Sequence, residues 1–277
     1  MSNFLDKMAQ RSRERMAAAR QLEPEAALRA RALAAPAPLP LKLKGFDLIA
    51  ELKLRSPAAG GLAAADFDPA RQLAAYAAGG AAAVSVLTEP DEFHGSLAAL
   101  HSAAEQLRPA GCPVMRKDFL VDAYQVLEAR ANGASGVLLI AAMLSDAALA
   151  EMTAVAAEQG LFVLLEAFDR DDLERLARLP LPPTQSRILV GVNSRNLKTL
   201  AVDFERFAAL AGQIRDDVPA VAESGIENAA DITQVARLGY RLALVGSALM
   251  RDGDAERTVA EFIAAGRQAV HAGATCS

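Results

Sequence analysis

Eight times between residue 48 and the C-terminus, a short apolar run is followed by a segment of helical composition. This repeat constrains the fold more than any other feature of the chain. The apolar runs lie near 48–53, 82–88, 113–116, 136–140, 161–166, 188–193, 218–222 and 242–246. They are rich in Val, Leu, Ile and Ala, as expected of strands covered on both faces. The segments between them carry helix boundary signals. Asp68-Pro69 supplies an N-cap and first turn with Gly79 as a stop, and Ser96 opens a helix that Pro109-Ala110-Gly111 ends. Asp122 and Gly133, then Ser145 and Gly160, bracket two more. Asp169–Leu179, Phe204–Ile214, Asn228–Leu238 and Ala255–Val270 continue the series.

Strands joined in this way are parallel, because each helix carries the chain back across the sheet. Open doubly wound sheets usually have fewer strands, and eight units in about 250 residues are the size of a (β/α)8 barrel. The fold class expected is therefore α/β, a single (β/α)8 TIM barrel domain over 1–277. Residues 1–45 form an N-terminal helical extension of it: apolar and basic residues recur at helical spacing over 4–20, and Pro24 opens a second helix that Pro36, Pro38 and Pro40 end. This front segment reads as an appendage to the main fold.

In such barrels the site lies at the C-terminal ends of the strands, so polar residues out of place in strands should collect there. They do. Leu48–Gly61 alternates up to Leu54, placing Ile49, Glu51 and Lys53 on one face and Ala50, Leu52 and Leu54 on the other. A carboxylate and an ammonium thus project together just before Ser56-Pro57 breaks the strand. Burying such a pair costs free energy for little net stability; taken alone, it also fits an exposed ion pair on an edge strand. The other strand ends carry Thr88-Glu89, Arg116-Lys117-Asp118, Glu166, Asn193 with Arg195, Glu223-Ser224-Gly225 and Gly246-Ser247. A merely solvated rim would place charges at both ends of each strand, and here the N-terminal ends are mostly apolar or turn residues.

Strands seven and eight suggest the ligand. Small residues at Ser224-Gly225 and Gly246-Ser247-Ala248 leave backbone N–H groups open, and Ala248-Leu249-Met250 can form a short extra helix. Loops after these two strands, with such a helix, are the usual phosphate site of a barrel. The lysines suggest the reaction. Two ammonium groups in one partly desolvated site lower each other's pKa, which would make Lys53 or Lys117 a usable acid near neutrality. Glu166 would be a base or the complementary acid. A Schiff base on one Lys, or a Lys serving only as counter-ion to the phosphate, stays open on spacing alone.

A net charge of -5 gives no reason to expect nucleic acid or an anionic membrane as partner. Cys112 and Cys276 are too few for a disulfide framework, and His94, His101 and His271 are scattered, so no metal site is expected. No nucleotide P-loop or dinucleotide glycine fingerprint occurs, and no cofactor is expected. Met-Ser-Asn-Phe-Leu-Asp-Lys is not a signal peptide, and the longest uncharged run, between Arg71 and Glu89, is too weakly apolar to span a membrane. The expected protein is cytoplasmic. Its oligomeric state is not fixed by the sequence, and a monomer fits.

The motifs at the strand ends resemble those of the indole-3-glycerol-phosphate synthase family of tryptophan biosynthesis. The resemblance rests on Ile49-Ala50-Glu51-Leu52-Lys53, Ser56-Pro57, Asp66-Phe67-Asp68-Pro69 and Ser85-Val86-Leu87-Thr88-Glu89. It continues through Phe93-His94-Gly95-Ser96-Leu97, Arg116-Lys117-Asp118-Phe119 and Leu164-Leu165-Glu166. Gly191-Val192-Asn193-Ser194-Arg195-Asn196-Leu197, Ala222-Glu223-Ser224-Gly225-Ile226 and Val245-Gly246-Ser247-Ala248-Leu249-Met250 complete it. It implies a cofactor-free carboxy-lyase whose substrate is 1-(2-carboxyphenylamino)-1-deoxyribulose 5-phosphate. By the resemblance, Lys117 is the acid for ring closure, Lys53 paired with Glu51 serves binding and dehydration, and Glu166 is the partner acid–base. Asn193 and Arg195 orient polar groups of the substrate, with Glu223 as neighbour. Ser224, Gly225, Gly246 and Ser247 form the phosphate cradle, and Ser56, Pro57, Phe93 and Phe119 flank the anthranilate ring and its carboxylate.

The chain departs from the family pattern after Ser56-Pro57, where Ala58-Ala59-Gly60 replaces the usual Ser-x-Gly and removes a hydroxyl and a charge. The rival enzyme readings are phosphoribosylanthranilate isomerase, whose first strand resembles Lys-x-Cys-Gly, and a Schiff-base aldolase. A catalytically silent barrel that binds a phosphorylated metabolite is the rival from another class. Mere phosphate binding would need none of the carboxylates.

Overall fold

Side-chain caps and apolar runs together decide where each repeat turns. In the computed structural model, which describes residues 3–53, 55–56, 60–61, 67–180, 188–196, 201–251 and 253–274, they give eight parallel strands closed into a barrel. The barrel strands are β1 (Asp47–Leu52), β2 (Ala83–Leu87), β3 (Val114–Lys117), β4 (Gly136–Ile140), β5 (Phe162–Ala167), β6 (Ile188–Asn193), β7 (Ala220–Glu223) and β8 (Leu242–Val245). Closure pairs β1 with β8 at Ile49 and Leu244, and with β2 at Glu51 and Ser85. After β1, Arg55–Ser56 and Gly60–Gly61 form a short antiparallel pair.

The helices on the outside are α3 (Pro69–Ala78), α4 (Leu97–Leu107), α5 (Ala123–Ala131), α6 (Asp146–Glu158), α7 (Arg170–Arg178), α8 (Glu205–Ala211), α9 (Ala229–Arg237), α10 (Ser247–Arg251) and α11 (Ala255–Ala274); α1 (Asn3–Leu22) and α2 (Glu25–Ala34) precede β1. Their starts follow from capping. Asp68 accepts from the Ala70 and Arg71 N–H groups, Ser96 from Ala99, Asp122 from Tyr124, Ser145 from Ala148 and Asp169 from Asp172. Asn228 and Asp231 form a reciprocal capping box. Each cap contributes about 1 kcal/mol. More important here, the caps fix the length of the βα loops that surround the mouth of the barrel.

Element boundaries fall within a few residues of expectation. β7 starts at Ala220 rather than 218. Pro219 has no N–H for the ladder, although its carbonyl accepts from the Val190 N–H (3.1 Å). Gly79 caps the end of α3 as expected, and the left-handed residue of the reversal is the next one, Gly80 (φ 90°).

The larger correction concerns the front segment, which is no appendage. Leu5, Met8 and Ala9 of α1 are buried in the same core as the barrel strands. Met16 and Ala19 pack with Leu28 of α2 on Tyr124 and Leu127 of α5. Cations on α1 then reach the loops at the mouth: Lys7 and Arg11 pair with Glu92 (3.0 and 3.1 Å), Arg15 with Asp118 (2.9 Å), and Arg20 with Asp122 (2.8 Å). No helix among the described residues is long and apolar enough to cross a membrane.

Candidate active site

Side chains at one level of a barrel come from alternate strands. Here the level nearest the mouth is charged. Glu51 of β1, Lys117 of β3, Glu166 of β5 and Glu223 of β7 stand within electrostatic reach of one another. The Glu51 carboxylate takes both lysines, with Oε1 2.9 Å from Lys53 Nζ and Oε2 3.6 Å from Lys117 Nζ. Two glycines beside the even-numbered strands make room for this layer. A Cβ on Gly191 of β6 would occupy the Glu223 carboxylate, and one on Gly246, just after β8, would lie against that of Glu51. That function of Gly191 was not foreseen from the sequence, where it reads as an ordinary strand glycine.

Burial of the three carboxylates is nearly complete, at 4% exposure for Glu51, 2% for Glu166 and 1% for Glu223. Burial alone would raise the pKa of Glu51, but Lys53 and Lys117 outweigh it and hold the group below its usual value. Lys117 goes the opposite way to the expectation. Burial favours its neutral form, yet Glu51, Glu166 and Glu223 together push its pKa above the normal lysine value. The expected lowering by a second ammonium is overturned because three carboxylates, brought in by other strands, surround this one. Glu223 is raised well above a normal carboxylate, first by burial and then by Glu166. Both of its oxygens, and Oε2 of Glu166, have no hydrogen-bond partner among the described residues. The layer thus holds an ammonium favoured in its charged form, a paired carboxylate and a Glu223 whose burial favours its neutral form.

One wall of the cavity is aromatic. Phe119 stacks edge-on against Phe4 (centroids 5.9 Å apart) and tilted against Phe93 (6.1 Å). Phe4 and Leu5 come from α1, so this wall is completed by a segment whose role the sequence pattern did not reveal. Its loops are held by buried polar groups. The Glu89 carboxylate accepts from the N–H groups of Asp91, Glu92 and Phe93. Asp118 accepts from Thr88 Oγ1 (2.8 Å), Arg116 Nη2 (3.2 Å) and Arg15 Nη2 (2.9 Å). Lys117 and Phe119, the neighbours of Asp118, are thereby fixed from both sides.

The opposite end of the cavity is built from small residues. Ser224 (φ 67°) and Gly225 (φ 78°) make a left-handed turn after β7, and Gly246 leads from β8 into α10. A serine at such a φ is strained by about 1–3 kcal/mol and needs its surroundings to hold it. Gln72 and Tyr76 of α3 tie this end to β1, with Gln72 Nε2 donating to the Leu249 carbonyl (3.0 Å) and Tyr76 Oη to that of Glu51 (3.2 Å). Arg251 of α10 pairs with Glu227. On the rim between the two ends, Asn193 Oδ1 accepts from the Arg195 N–H (3.0 Å).

Glu51, Lys53, Phe93, Lys117, Phe119, Glu166, Asn193, Arg195, Glu223, Ser224, Gly225, Gly246 and Ser247 all line one cavity. It holds about 1170 Å³ outside the atoms, with the solvent at its mouth included. Of the remaining expected residues, Pro57 lies outside the described residues, as do Ala58 and Ala59; Ser56 is described only as part of the short strand pair. Asp118, read with the polar strand ends, lines the cavity too, while Leu138, Ile140 and Phe168 also line it and were not expected there. Those three are apolar residues at strand ends whose spacing matches that of ordinary core residues.

Known proteins share the sequence pattern and the fold of this chain. The chain is 42% identical over 277 residues to an indole-3-glycerol phosphate synthase of Arthrobacter sp. strain FB24, covering 97% of this chain and 98% of that protein. It is 48% identical over 215 residues to that of Nocardioides sp. strain JS614, covering 78% and 79% respectively. Among solved structures, 3-hexulose-6-phosphate synthase from Salmonella typhimurium superposes with a TM-score of 0.61 at 12% identity, over 82% of this chain and 100% of that one, which speaks to the fold alone. The sequence profile of indole-3-glycerol phosphate synthase matches residues 5–262, and the chain belongs to that family.

Proposed function

We propose that the charged layer of the barrel mouth carries out the ring closure, decarboxylation and dehydration that make indole-3-glycerol phosphate, with Lys117 as the acid. Membership of the family makes the chain a decarboxylating lyase of tryptophan biosynthesis acting on a phosphorylated small molecule. The observation that carries the assignment of roles is the set of charges around Lys117. An ammonium kept protonated by Glu51, Glu166 and Glu223 is always ready to donate to the ketone oxygen as the ring carbon bearing the carboxylate attacks the ketone carbon. Loss of carbon dioxide then restores the aromatic ring. For the dehydration, Lys53 stands beside Glu51 to protonate the departing hydroxyl, and Glu166 takes the proton released as the indole forms.

Substrate placement follows from the two unlike ends of the cavity. Phe93 and Phe119 pack on the anthranilate ring, with Ser56 and Pro57 from the first loop on its carboxylate side. Ser224, Gly225, Gly246 and Ser247 cradle the phosphate. Asn193 and Arg195 orient the groups between, with Glu223 as their neighbour. No cofactor enters this scheme. We place the enzyme in the cytoplasm, working as a single (β/α)8 domain of 1–277 with 1–45 as its helical extension, with no nucleic-acid or membrane partner. A monomer contains every residue named.

The test is direct. Purified protein should generate indole fluorescence from 1-(2-carboxyphenylamino)-1-deoxyribulose 5-phosphate with no metal or nucleotide added, over little background because the chain has no Trp. Lys117→Ala should lose turnover by roughly 10²-fold or more. Near-normal turnover in that variant would assign the acid elsewhere.

A further inference from the structure

Ser194, the first residue after β6, is fully buried and does not line the cavity. Its N–H donates to the Glu223 carbonyl (2.9 Å), and its own carbonyl accepts from the Asp203 N–H (2.9 Å). Its Oγ donates to the Ser224 carbonyl (3.0 Å). Ser224 is thus gripped from the next strand at the point where its backbone is left-handed, a conformation that an L-residue with a side chain avoids. The turn is also boxed in. A Cβ on Gly225 would run into Val202 and come within 3.1 Å of Ser194 Oγ. Val202 is itself fixed by its bridge to Arg195, and the Asn196 N–H donates to the Ala201 carbonyl (2.8 Å) across the same stem. Arg195 of that stem lines the cavity, so one short hairpin stem supports both a pocket side chain and the turn beside it.

We propose that Ser194 is a positioning residue for the phosphate cradle, its buried hydroxyl holding the Ser224–Gly225 turn in the left-handed form. The inference rests on the reading that this turn takes the substrate's phosphate. Ser194 is too deep to touch the substrate, and it acts through the turn. Without its hydroxyl the Ser224 carbonyl loses that donor, and the backbone relaxes toward the extended region that serine prefers. Lys117 and Glu51 stand on other strands and keep their geometry.

The experiment uses the full chain with Ser194→Ala, Ser194→Cys, which keeps the volume with only a weak donor, and Ser194→Thr, which keeps the hydroxyl. Ala and Cys should raise the KM for substrate and the inhibition constant of inorganic phosphate about tenfold each, the loss of one hydrogen bond of ~1.4 kcal/mol. Turnover should stay within about twofold, inhibition by 2-aminobenzoate, which carries no phosphate, should not change, and Thr should stay near wild type. Wild-type constants in folded Ala and Cys variants overturn the proposal. So does an equal loss of 2-aminobenzoate and phosphate affinity, which marks a general structural defect. Gly225→Ala separates the two readings. If it leaves phosphate inhibition unchanged, phosphate does not bind at this turn and both readings fall. If it weakens phosphate inhibition while the Ser194 variants do not, only the assignment of Ser194 falls.

Discussion

Replacing Glu51 by Gln keeps the volume of the side chain and removes the charge that joins the two lysines. At an effective dielectric constant near 20, unit charges 3.6 Å apart, the Glu51–Lys117 separation, interact by about 4–5 kcal/mol. Glu166 and Glu223 remain, so Lys117 stays charged at neutral pH but loses a main source of its raised pKa. The sign follows. Carboxylates raise the pKa of this lysine, so removing one lowers it, and an acid that must be protonated loses activity as pH rises through the lowered value. Wild-type kcat should therefore be level on the alkaline side. E51Q should show a descending alkaline limb as well as a fall in kcat of roughly 10²-fold, because Lys53 also loses its partner. Indole fluorescence followed from pH 6 to about 10 reads both. An E51Q enzyme with near-normal turnover and a level alkaline limb would refute the argument that the carboxylate ring sets the charge of Lys117.

Gly246→Ala should cost about 10²-fold in turnover with the fold retained by circular dichroism, because the new Cβ displaces the Glu51 carboxylate from its lysines. Arg15→Met leaves the carboxylates of Glu89 and Asp118, both nearly inaccessible, without their cation from α1. It should lower unfolding free energy by about 1–3 kcal/mol in urea, discounted because the guanidinium itself is partly exposed. Asp172, buried beneath the loop after β5, has its pKa pushed up to about 6, mainly by desolvation. A carboxyl raised in the folded state stabilises it below the unfolded value near ~3.9 and loses that contribution as pH rises. Asp172→Asn, which can still accept from the Phe168 N–H, should abolish the part of the stability decline seen between about pH 4 and 6 in thermal melts of the wild type.

The sequence carried the architecture because its signals were local and repeated. Asp68, Ser96, Asp122, Ser145, Asp169 and Asn228 cap the helices they were read to open, and the apolar runs are the strands. The site was legible for the same reason: a charge such as Glu51 or Lys117 is conspicuous in an apolar run. What stayed hidden depends on partners distant in sequence. Phe4 and Leu5 show only the apolar face of any surface helix until α1 is seen against Phe119. Lys117 was expected to be an easily deprotonated acid because its neighbours in the chain say nothing of Glu166 and Glu223. The left-handed backbone of Ser224 has no sequence mark, since serine is not the residue that usually occupies that region. Gly191 discloses its purpose only when the carboxylate occupying its missing Cβ is known.

The docking of α1 also bears on how the enzyme is made. Its contacts at the mouth join Lys7 to Glu92 and Arg15 to Asp118, across 85 and 103 residues of chain. During synthesis at about 5–20 residues per second, α1 emerges before the partners that will hold it. Contacts of such separation are slow to form, because loop-closure entropy is spent before they give any return. A helix made this far ahead of its partners is therefore among the last to settle. Its basic face stays solvated and its apolar face uncovered until the third strand has been made. The aromatic wall of the cavity is then finished by a helix made before any strand of the barrel.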